Sequence, residues 1–422
     1  MTDSETQRTI DAIWRIESPK LVAGLARMVR DVGIAEDLAH DALVAALEQW
    51  PVSGVPRNPG AWLMATSKRR AIDLWRRNKL LDRKHEAIGY ELQAEQQNVP
   101  DIEAAIDDRA DDLGDDLLRL IFIACHPVLP TDAQVALTLR LLGGLTTGEI
   151  ARAFLVPEAT VAQRIVRAKR TLADKEVPYE IPRGEDRDAR LSSVLGVLYL
   201  IFNEGYTATT GDDWMRPALC DEALRLGRIV AELAPQEPEV HGLVALMEIQ
   251  ASRQRARVGP NGEPIVLLEQ NRGLWDQLLI QRGLTALARA ESLGAEPGRY
   301  VLQAAIAACH GRARTADATD WRRIAELYEQ LARMAPSPVI ELNRAVAVAM
   351  AFGPEAGLAI VDTLADEPAL KDYHLLPSVR GDLLEKLGRH TEARDEFTRA
   401  AALTRNSRER DLLLARANSG RG

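Results

Sequence analysis

Apolar residues recur at helical spacing through most of the chain, with polar residues between them. Residues 10–29 show this pattern at Ile13, Leu21, Leu25, Met28 and Val29 and predict one amphipathic helix. Residues 35–50 predict a second helix, because apolar side chains fall on one face and acidic ones on the other. The inward face has Leu38, Ala42, Ala45, Ala46 and Trp50, and the outward face has Glu36, Asp37, His40, Asp41 and Glu48.

Residues 144–172 show the pattern of a helix-turn-helix. Thr146 and Thr147 can cap a first helix at 147–154, and Pro157 suits the start of a second helix after a tight turn. On the second helix an apolar stripe faces the first, while polar and basic side chains on the other faces can read base edges or hold phosphates. The stripe is Val161, Ile165 and Ala168, and the polar set is Thr160, Gln163, Arg164, Arg167 and Arg170. DNA binding is predicted; the competing interpretation is a helical hairpin with a solvated basic surface.

A second basic segment, residues 58–84, combines tryptophan with positive charge. Trp62 and Trp75 lie among eight lysines and arginines and only two aspartates, in a chain of formal net charge −9. This combination suits a phosphate backbone and unstacked bases, although one tryptophan is expected in the core. The alternative is a surface helix with solvated charges. Residues 51–59, rich in Pro and Gly, predict a loop before this helix.

Composition agrees with an all-helical chain of two or three domains: 422 residues, 46% hydrophobic and only 5% aromatic. Residues 86–116 carry eleven acidic side chains against the single base Arg109, and predict an acidic linker. The linker either mimics nucleic acid in a positively charged channel or is merely solvated. No stretch of 18 apolar residues occurs, so we expect a cytoplasmic protein with no membrane contact. The three scattered cysteines predict buried thiols rather than disulfides or a metal site.

Beyond a Pro-rich, charged boundary at residues 177–188, helical patterns repeat to residue 403. The last ones, at 375–387 and 390–403, resemble tetratricopeptide repeats in the run LLEKLGRHTEA and in the following Phe397 and Ala400. Repeats of this kind stack into a superhelix with a concave binding face. Glu204, within the distinctive run LYLIFNEGYTATTGDDW, is interpreted as a buried structural carboxylate. The earlier predicted helices are 218–234, 240–256, 274–292, 300–310, 321–334, 339–352 and 354–364.

The order of these parts resembles an extracytoplasmic-function sigma factor of bacterial RNA polymerase. AEDLAHDALVAALEQW is similar to region 2.2 of that family, AWLMATSKRRAIDLWRR to regions 2.3 and 2.4, and residues 144–172 to region 4.2. The sequence departs from the family at His40, where glutamine is usual, and in its unusual loop PVSGVPRNP. The resemblance covers roughly residues 8–176.

The resemblance implies three binding surfaces. Region 2.2 would grip the β′ clamp helices of core polymerase, regions 2.3 and 2.4 would melt and read the −10 element, and region 4.2 would read the −35 element; the β flap is a further expected contact. The core-binding residues would be Glu36, Asp37, His40 and Asp41. The −10 residues would be Val55, Arg57, Asn58, Trp62, Lys68, Arg69, Arg70, Asp73, Arg76 and Arg77, and the −35 residues Glu158, Thr160, Gln163, Arg164, Arg167, Lys169 and Arg170.

The longer chain resembles sigma-factor groups with a fused C-terminal extension of tetratricopeptide-like repeats. In such groups the extension regulates the sigma domains, which leaves room for an unidentified regulator at the C-terminal domain. The expected fold is all-α, divided into sigma region 2 at 8–84, the acidic linker at 85–116, sigma region 4 at 117–176 and a repeat domain at 186–415.

Two other function classes stay open at this point. One is a helix-turn-helix activator with a repeat-type sensor domain, although an activator needs neither the acidic helix nor the aromatic-basic one. The other is an enzyme centred on Glu204 or His241, which the sequence does not favour, because it has seven histidines and no metal, phosphate-binding or nucleophile motif. We therefore expect no catalytic residues, no metal and no cofactor.

Overall fold

The computed structural model describes residues 3–86, 113–208, 215–260, 262–294 and 296–419. Side chains are not described for residues 3–5, 74–75, 77–86 and 113. Within these ranges the regular elements are helices, and an isolated bridge joins Val258 to Pro264. The predicted all-α class is confirmed. Contacts divide the chain into two compact units, residues 1–197 and 198–422.

The first unit contains seven complete described helices and the start of an eighth, whose later part belongs to the second unit. Gly54, at φ 81°, ends α2 by donating its N–H to the Trp50 carbonyl. The loop predicted at 51–59 is therefore shorter, because Pro51 lies inside the helix. The helices are α1 (Asp3–Val29), α2 (Val32–Ser53), α3 (Pro59–Glu86), α4 (Leu113–Ala124), α5 (Thr131–Leu141), α6 (Thr147–Phe154), α7 (Glu158–Asp174) and α8 (Glu185–Tyr206).

The core of the first unit forms where α1 packs on α2, α3 and α4, and α5 packs on α7. The predicted inward face of α2 is confirmed: Leu38, Ala42, Ala45, Ala46 and Trp50 are all buried. Small alanines let α1 approach closely, while Trp50 fills volume at the end of the helix.

The linker prediction is wrong at its end, because Asp115 and Asp116 belong to α4. Asp116 is buried between Arg119 Nη1 at 2.6 Å and Arg27 Nε at 3.2 Å. A buried carboxylate needs such partners, so Asp116 acts as a structural residue of the first unit. Residues 87–112, which carry most of the predicted linker, lie outside the described residues.

The second unit is a succession of helices that pack mainly on their neighbours in sequence. Gly381 of α16 lies so close to the Phe397 ring of α17 that an added Cβ would be 2.8 Å from it. Such close helix pairs fit the predicted repeats. The helices are α9 (Pro217–Leu233), α10 (Pro238–Ala251), α11 (Gln277–Ser292), α12 (Arg299–Arg312), α13 (Trp321–Met334), α14 (Pro338–Phe352), α15 (Pro354–Thr363), α16 (Leu375–Lys386), α17 (His390–Leu403) and α18 (Ser407–Ser419).

Candidate nucleic-acid interface

The helix-turn-helix forms where the sequence predicts it. Thr146 Oγ1 accepts the backbone N–H of Glu149 at 3.2 Å, and the Glu149 carboxylate accepts the backbone N–H of Thr146 at 2.8 Å. This reciprocal capping fixes the start of α6. Leu155, at φ 50°, ends α6 in the left-handed conformation, and Pro157 directly precedes α7. The predicted apolar stripe on α7 is confirmed, with Val161, Ile165 and Ala168 buried against neighbouring helices.

The predicted −35 residues on α7 fall into two groups. Arg164 is held by an ion pair to α5, with its Nε 2.8 Å from Asp132 Oδ2, and its side chain is 35% exposed. Lys169 is only 19% exposed and faces α2. Thr160 is half-buried, and the exposed members are Glu158, Gln163, Arg167 and Arg170. The exposed group presents the donors and cations that a major groove accommodates.

The predicted core-binding helix α2 exposes Asp37 and Asp41. Asp41 Oδ2 lies 3.2 Å from Arg70 Nη1 of α3, and the side chains are 59% and 39% exposed. A surface pair of this kind contributes about 0–1 kcal/mol, so both groups stay available to a partner. The acidic face of α2 and the basic face of α3 therefore meet at Arg70.

The predicted −10 surface lies on α3 and the loop before it. Trp62 is half-buried and packs edge-on to Trp50, with ring centroids 5.3 Å apart, so part of this tryptophan belongs to the core. Val55 and Lys68 are half-buried, and Arg57, Asn58, Arg69, Asp73 and Arg76 are exposed. The side chains of Trp75 and Arg77 lie outside the described residues.

Glu36 does not lie on the solvent face of α2, and that prediction is wrong. Its side chain is 5% exposed, with Arg140 Nε of α5 2.6 Å from Oε1 and Lys169 Nζ of α7 2.5 Å from Oε2. The same Arg140 reaches His40 Nε2 at 2.6 Å, while His40 Nδ1 lies 2.9 Å from the Glu36 carbonyl oxygen. We call Glu36, His40, Arg140 and Lys169 the Glu36 cluster.

Charge pairing sets the protonation of Glu36. Burial alone raises the pKa of Glu36, but Lys169 and Arg140 outweigh it and hold the pKa below the ordinary value of 4.5. Glu36 is therefore ionised at neutral pH and bound by two cations. Arg140 is the functional candidate that sequence reasoning missed, because it lies outside the helix-turn-helix and 104 residues from Glu36.

Two further contacts join the helix-turn-helix and its flanks to α1. Arg15 Nη2 lies 2.6 Å from Glu149 Oε1, the residue that also closes the cap of α6. Beyond α7, the Tyr179 hydroxyl lies 2.9 Å from the carbonyl oxygens of both Ala23 and Asp116. Polar contacts at the Glu36 cluster, Glu149 and Tyr179 thus join α2, α6, α7 and the segment after α7 to other helices of the first unit.

The groups considered for catalysis have structural partners. Glu204 pairs with Arg216, and His241 Nε2 lies 3.0 Å from the Pro235 carbonyl oxygen. The three cysteines are buried and free. Across the described ranges no cluster of three potential metal ligands occurs, and no helix there is both long and apolar enough to cross a membrane.

The first unit contains a helix-turn-helix with an exposed basic face. The acidic helix α2 and the aromatic-basic helix α3 precede it. This combination defines a promoter-recognition protein. Residues 14–80 match the family described as sigma-70 region 2, and residues 119–172 match sigma-70, region 4. Residues 190–291 match a family of unknown function, DUF6596. An uncharacterised protein of Rhizobium meliloti (strain 1021), R00370, is 43% identical over 393 residues, covering 93% of this chain and 91% of its own length.

The chain belongs to the sigma-70 family, as an extracytoplasmic-function type sigma factor with a C-terminal extension. Proteins of this family are DNA-binding regulators that bind core RNA polymerase and promoter DNA. This protein acts in promoter recognition and transcription initiation, and the interpretation as a separate activator is not favoured.

Proposed function

We propose that Asp37 and Asp41 carry the contact with core polymerase, at the β′ clamp helices, and that Arg167 and Gln163 carry the contact with the −35 element. The supporting observation is exposure combined with position: these four side chains are solvent-facing on the two helices that match the sigma regions. The −10 contacts fall to Arg57, Asn58 and Arg69 and to the exposed edge of Trp62. Binding, without catalysis by the chain itself, is the whole of the activity.

The same geometry supports a closed state. Lys169 forms an ion pair with Glu36. A residue predicted to bind DNA is therefore paired with a residue predicted to bind polymerase. While Lys169 of α7 is paired with Glu36 of α2, Lys169 is unavailable to phosphate and Glu36 is unavailable to the clamp. We infer that binding to polymerase and promoter separates these helices and frees both residues.

The extension is proposed to support the sigma domains rather than only to inhibit them. Its final helices bury Leu383, Leu384, Phe397, Ala400 and Leu413 in one apolar cluster. Such order indicates a stable domain, and we propose that it regulates the sigma domains positively, in the cytoplasm where core polymerase is found.

The core-binding assignment is tested with the double variant Asp37→Lys/Asp41→Lys. Like-charge contacts across an interface cost several kcal/mol, so we expect a loss of 100-fold or more in affinity for purified core, an order-of-magnitude estimate. The matched control is Asp11→Lys/Asp188→Lys, which makes the same charge change at two exposed positions on α1 and α8. Equal retention of both variants on core polymerase, with unchanged circular dichroism, would show that α2 is not the docking helix.

A further inference from the structure

The extension contains an arginine cluster that the sigma function does not use. Arg253 and Arg257 both lie over the Tyr206 ring, at 5.7 and 3.5 Å from its centroid. Arg253 and Arg272 both lie over the Trp275 ring, at 5.7 and 4.7 Å. Since each ring is shared by two guanidinium groups, the three cations converge on one place. All three arginines lie in the stretch that matches the family of unknown function.

Arg253 stands out within the cluster because, among the described residues, its guanidinium has neither a hydrogen-bond acceptor nor an anionic partner. Among the described residues no carboxylate forms an ion pair with it, and its Nε is buried without a hydrogen-bond acceptor. Its guanidinium lies over the two aromatic rings. The Nε–H of this half-buried guanidinium forgoes water without gaining an acceptor, which is costly unless a ligand supplies one.

Arg272 is held by neutral groups. Its Nη1 donates to the carbonyl oxygens of His310 and Ala313, both at 2.8 Å, and Nη2 donates to Thr319 Oγ1 at 3.0 Å. These bonds fix the guanidinium without neutralising it, and its Nε is also buried without an acceptor. The described contacts thus position Arg272 while leaving its charge in place.

The lowered pKa of His310 reflects the positive charge of the cluster. Burial lowers its pKa, and the neighbouring Arg253 and Arg272 lower it further, to about 3. Its Nδ1 is buried without a hydrogen-bond partner in the described contacts, as is Trp275 Nε1. An imidazole at this place stays neutral because the site already holds more positive charge than the described residues compensate.

We propose that the arginine cluster of the extension binds the oxyanion group of a small ligand, a phosphate or a carboxylate. The planar guanidinium of Arg253, oriented by Tyr206 and Trp275, can grip either group with two parallel N–H donors. Arg272 adds charge and an unused Nε–H from the neighbouring position. The anion supplies the missing acceptors and neutralises the repulsion between the arginines.

Thermal unfolding of the full chain tests this, with sodium phosphate and sodium acetate as probes against sodium chloride at equal ionic strength. We expect phosphate, acetate or both to raise the midpoint by about 2–4 °C above chloride. A response to phosphate alone assigns a phosphorylated ligand, and a response to acetate assigns a carboxylate. The variant is Arg253→Ala. The matched control is Arg255→Ala, an exposed arginine in the 3₁₀ turn Gln254–Ala256 that directly follows Arg253.

The sign of the Arg253→Ala effect separates a binding role from a packing role. In chloride, removing Arg253 relieves repulsion with Arg272, so we expect an unchanged or higher midpoint together with loss of most of the anion-dependent rise. Arg255→Ala should keep the full rise. Destabilisation of Arg253→Ala by the same amount in chloride, phosphate and acetate would overturn the proposal, and so would a wild-type chain that responds to neither anion.

A second readout does not depend on stability. With ¹³C-labelled histidine, the ring signal of His310, assigned through its loss in His310→Gln, should move on addition of the same anion. It should not move in Arg253→Ala. The site would also be refuted if the His310 signal keeps its chemical shift on addition of either anion while the signals of the other histidines stay as they are in chloride. Neither measurement uses polymerase, so failure here leaves the sigma assignments untouched.

Discussion

Removing Lys169 should break the ion pair that joins α7 to α2 and so favour the open state. Lys169→Ala deletes the cation 2.5 Å from Glu36 Oε2, at a site where the lysine and glutamate side chains are only 19% and 5% exposed. Losing one partner of a fully buried pair costs about 3–5 kcal/mol. Because Arg140 still holds Oε1 at 2.6 Å, we expect a smaller loss of about 2 kcal/mol. That loss shifts the closed-to-open ratio by about 30-fold.

Fluorescence energy transfer measures this shift directly. The three native cysteines are buried, so dyes can be placed selectively at Glu48→Cys on α2 and Gln163→Cys on α7, both exposed. Wild type should give one high-transfer population, and Lys169→Ala should populate a low-transfer one. Arg170→Ala is the matched control, since this neighbouring cation is 80% exposed and pairs with Asp174 of its own helix.

The reasoning fails if Lys169→Ala and Arg170→Ala give the same transfer distribution as wild type. It also fails if both variants open equally, because the effect would then come from the charge of α7 in general rather than from the Glu36 cluster. A double variant Lys169→Ala/Glu36→Gln should show less than additive opening, as expected for two residues in direct contact.

The Glu36 carboxylate, the exposed arginines of α7, Tyr179 and the final helices each give one further prediction. The pKa of Glu36 is lowered in the closed state, so its ionised carboxylate stabilises that state fully above pH ~4.5. This stabilisation is lost as the pH falls through the lower pKa of the closed state. Energy transfer should therefore drop at that pH in wild type, and less in Glu36→Gln. Arg167→Ala should weaken −35 binding by about 1–3 kcal/mol with loss of specificity at one position, whereas Arg170→Ala should weaken all sequences alike and flatten the salt dependence, as read by footprinting over a salt series. Tyr179→Phe should lower the unfolding free energy by about 1 kcal/mol in a denaturant titration, because the Ala23 and Asp116 carbonyls lose a donor. Deleting the chain after Leu375 should reduce run-off transcription, because Leu358, Val361 and Leu364 lose the helices that cover them; a soluble truncation with higher activity than full length would establish autoinhibition instead.

The elements set by local chemistry were predictable from the sequence. The first helix of the helix-turn-helix occurs at Thr147–Phe154 as expected, because the cap at Thr146 and the turn at Leu155 are encoded within a few residues. The inward face of α2 was equally readable, since alanine and leucine at helical spacing specify a buried stripe. The helix at His390–Leu403 also agrees with its prediction.

The environment of Glu36 was not predictable in this way. Periodicity places Glu36 beside Asp37 on a polar stretch, and nothing local distinguishes the two carboxylates. Glu36 is buried because it pairs with Arg140 and Lys169, which lie on helices far along the chain. A charged residue next to the apolar face of a helix is only a weak signal for a cation from another helix. The tertiary contact alone shows that Glu36, and not Asp37, has such a partner.

The Glu36 cluster also links the two binding activities of the sigma unit. A closed chain that opens only one time in a hundred binds polymerase about 100-fold more weakly than an open one. Polymerase at α2 removes the acceptor of Lys169, and DNA phosphate at Lys169 removes a counter-ion of Glu36, so each partner favours the state that the other needs. Linkage requires this coupling to be reciprocal. Promoter DNA should therefore tighten core binding in wild type by more than in Lys169→Ala/Glu36→Gln, in which the helices are already released. Equal enhancement in the two proteins would mean that the contact between α2 and α7 plays no part in assembling the transcription complex.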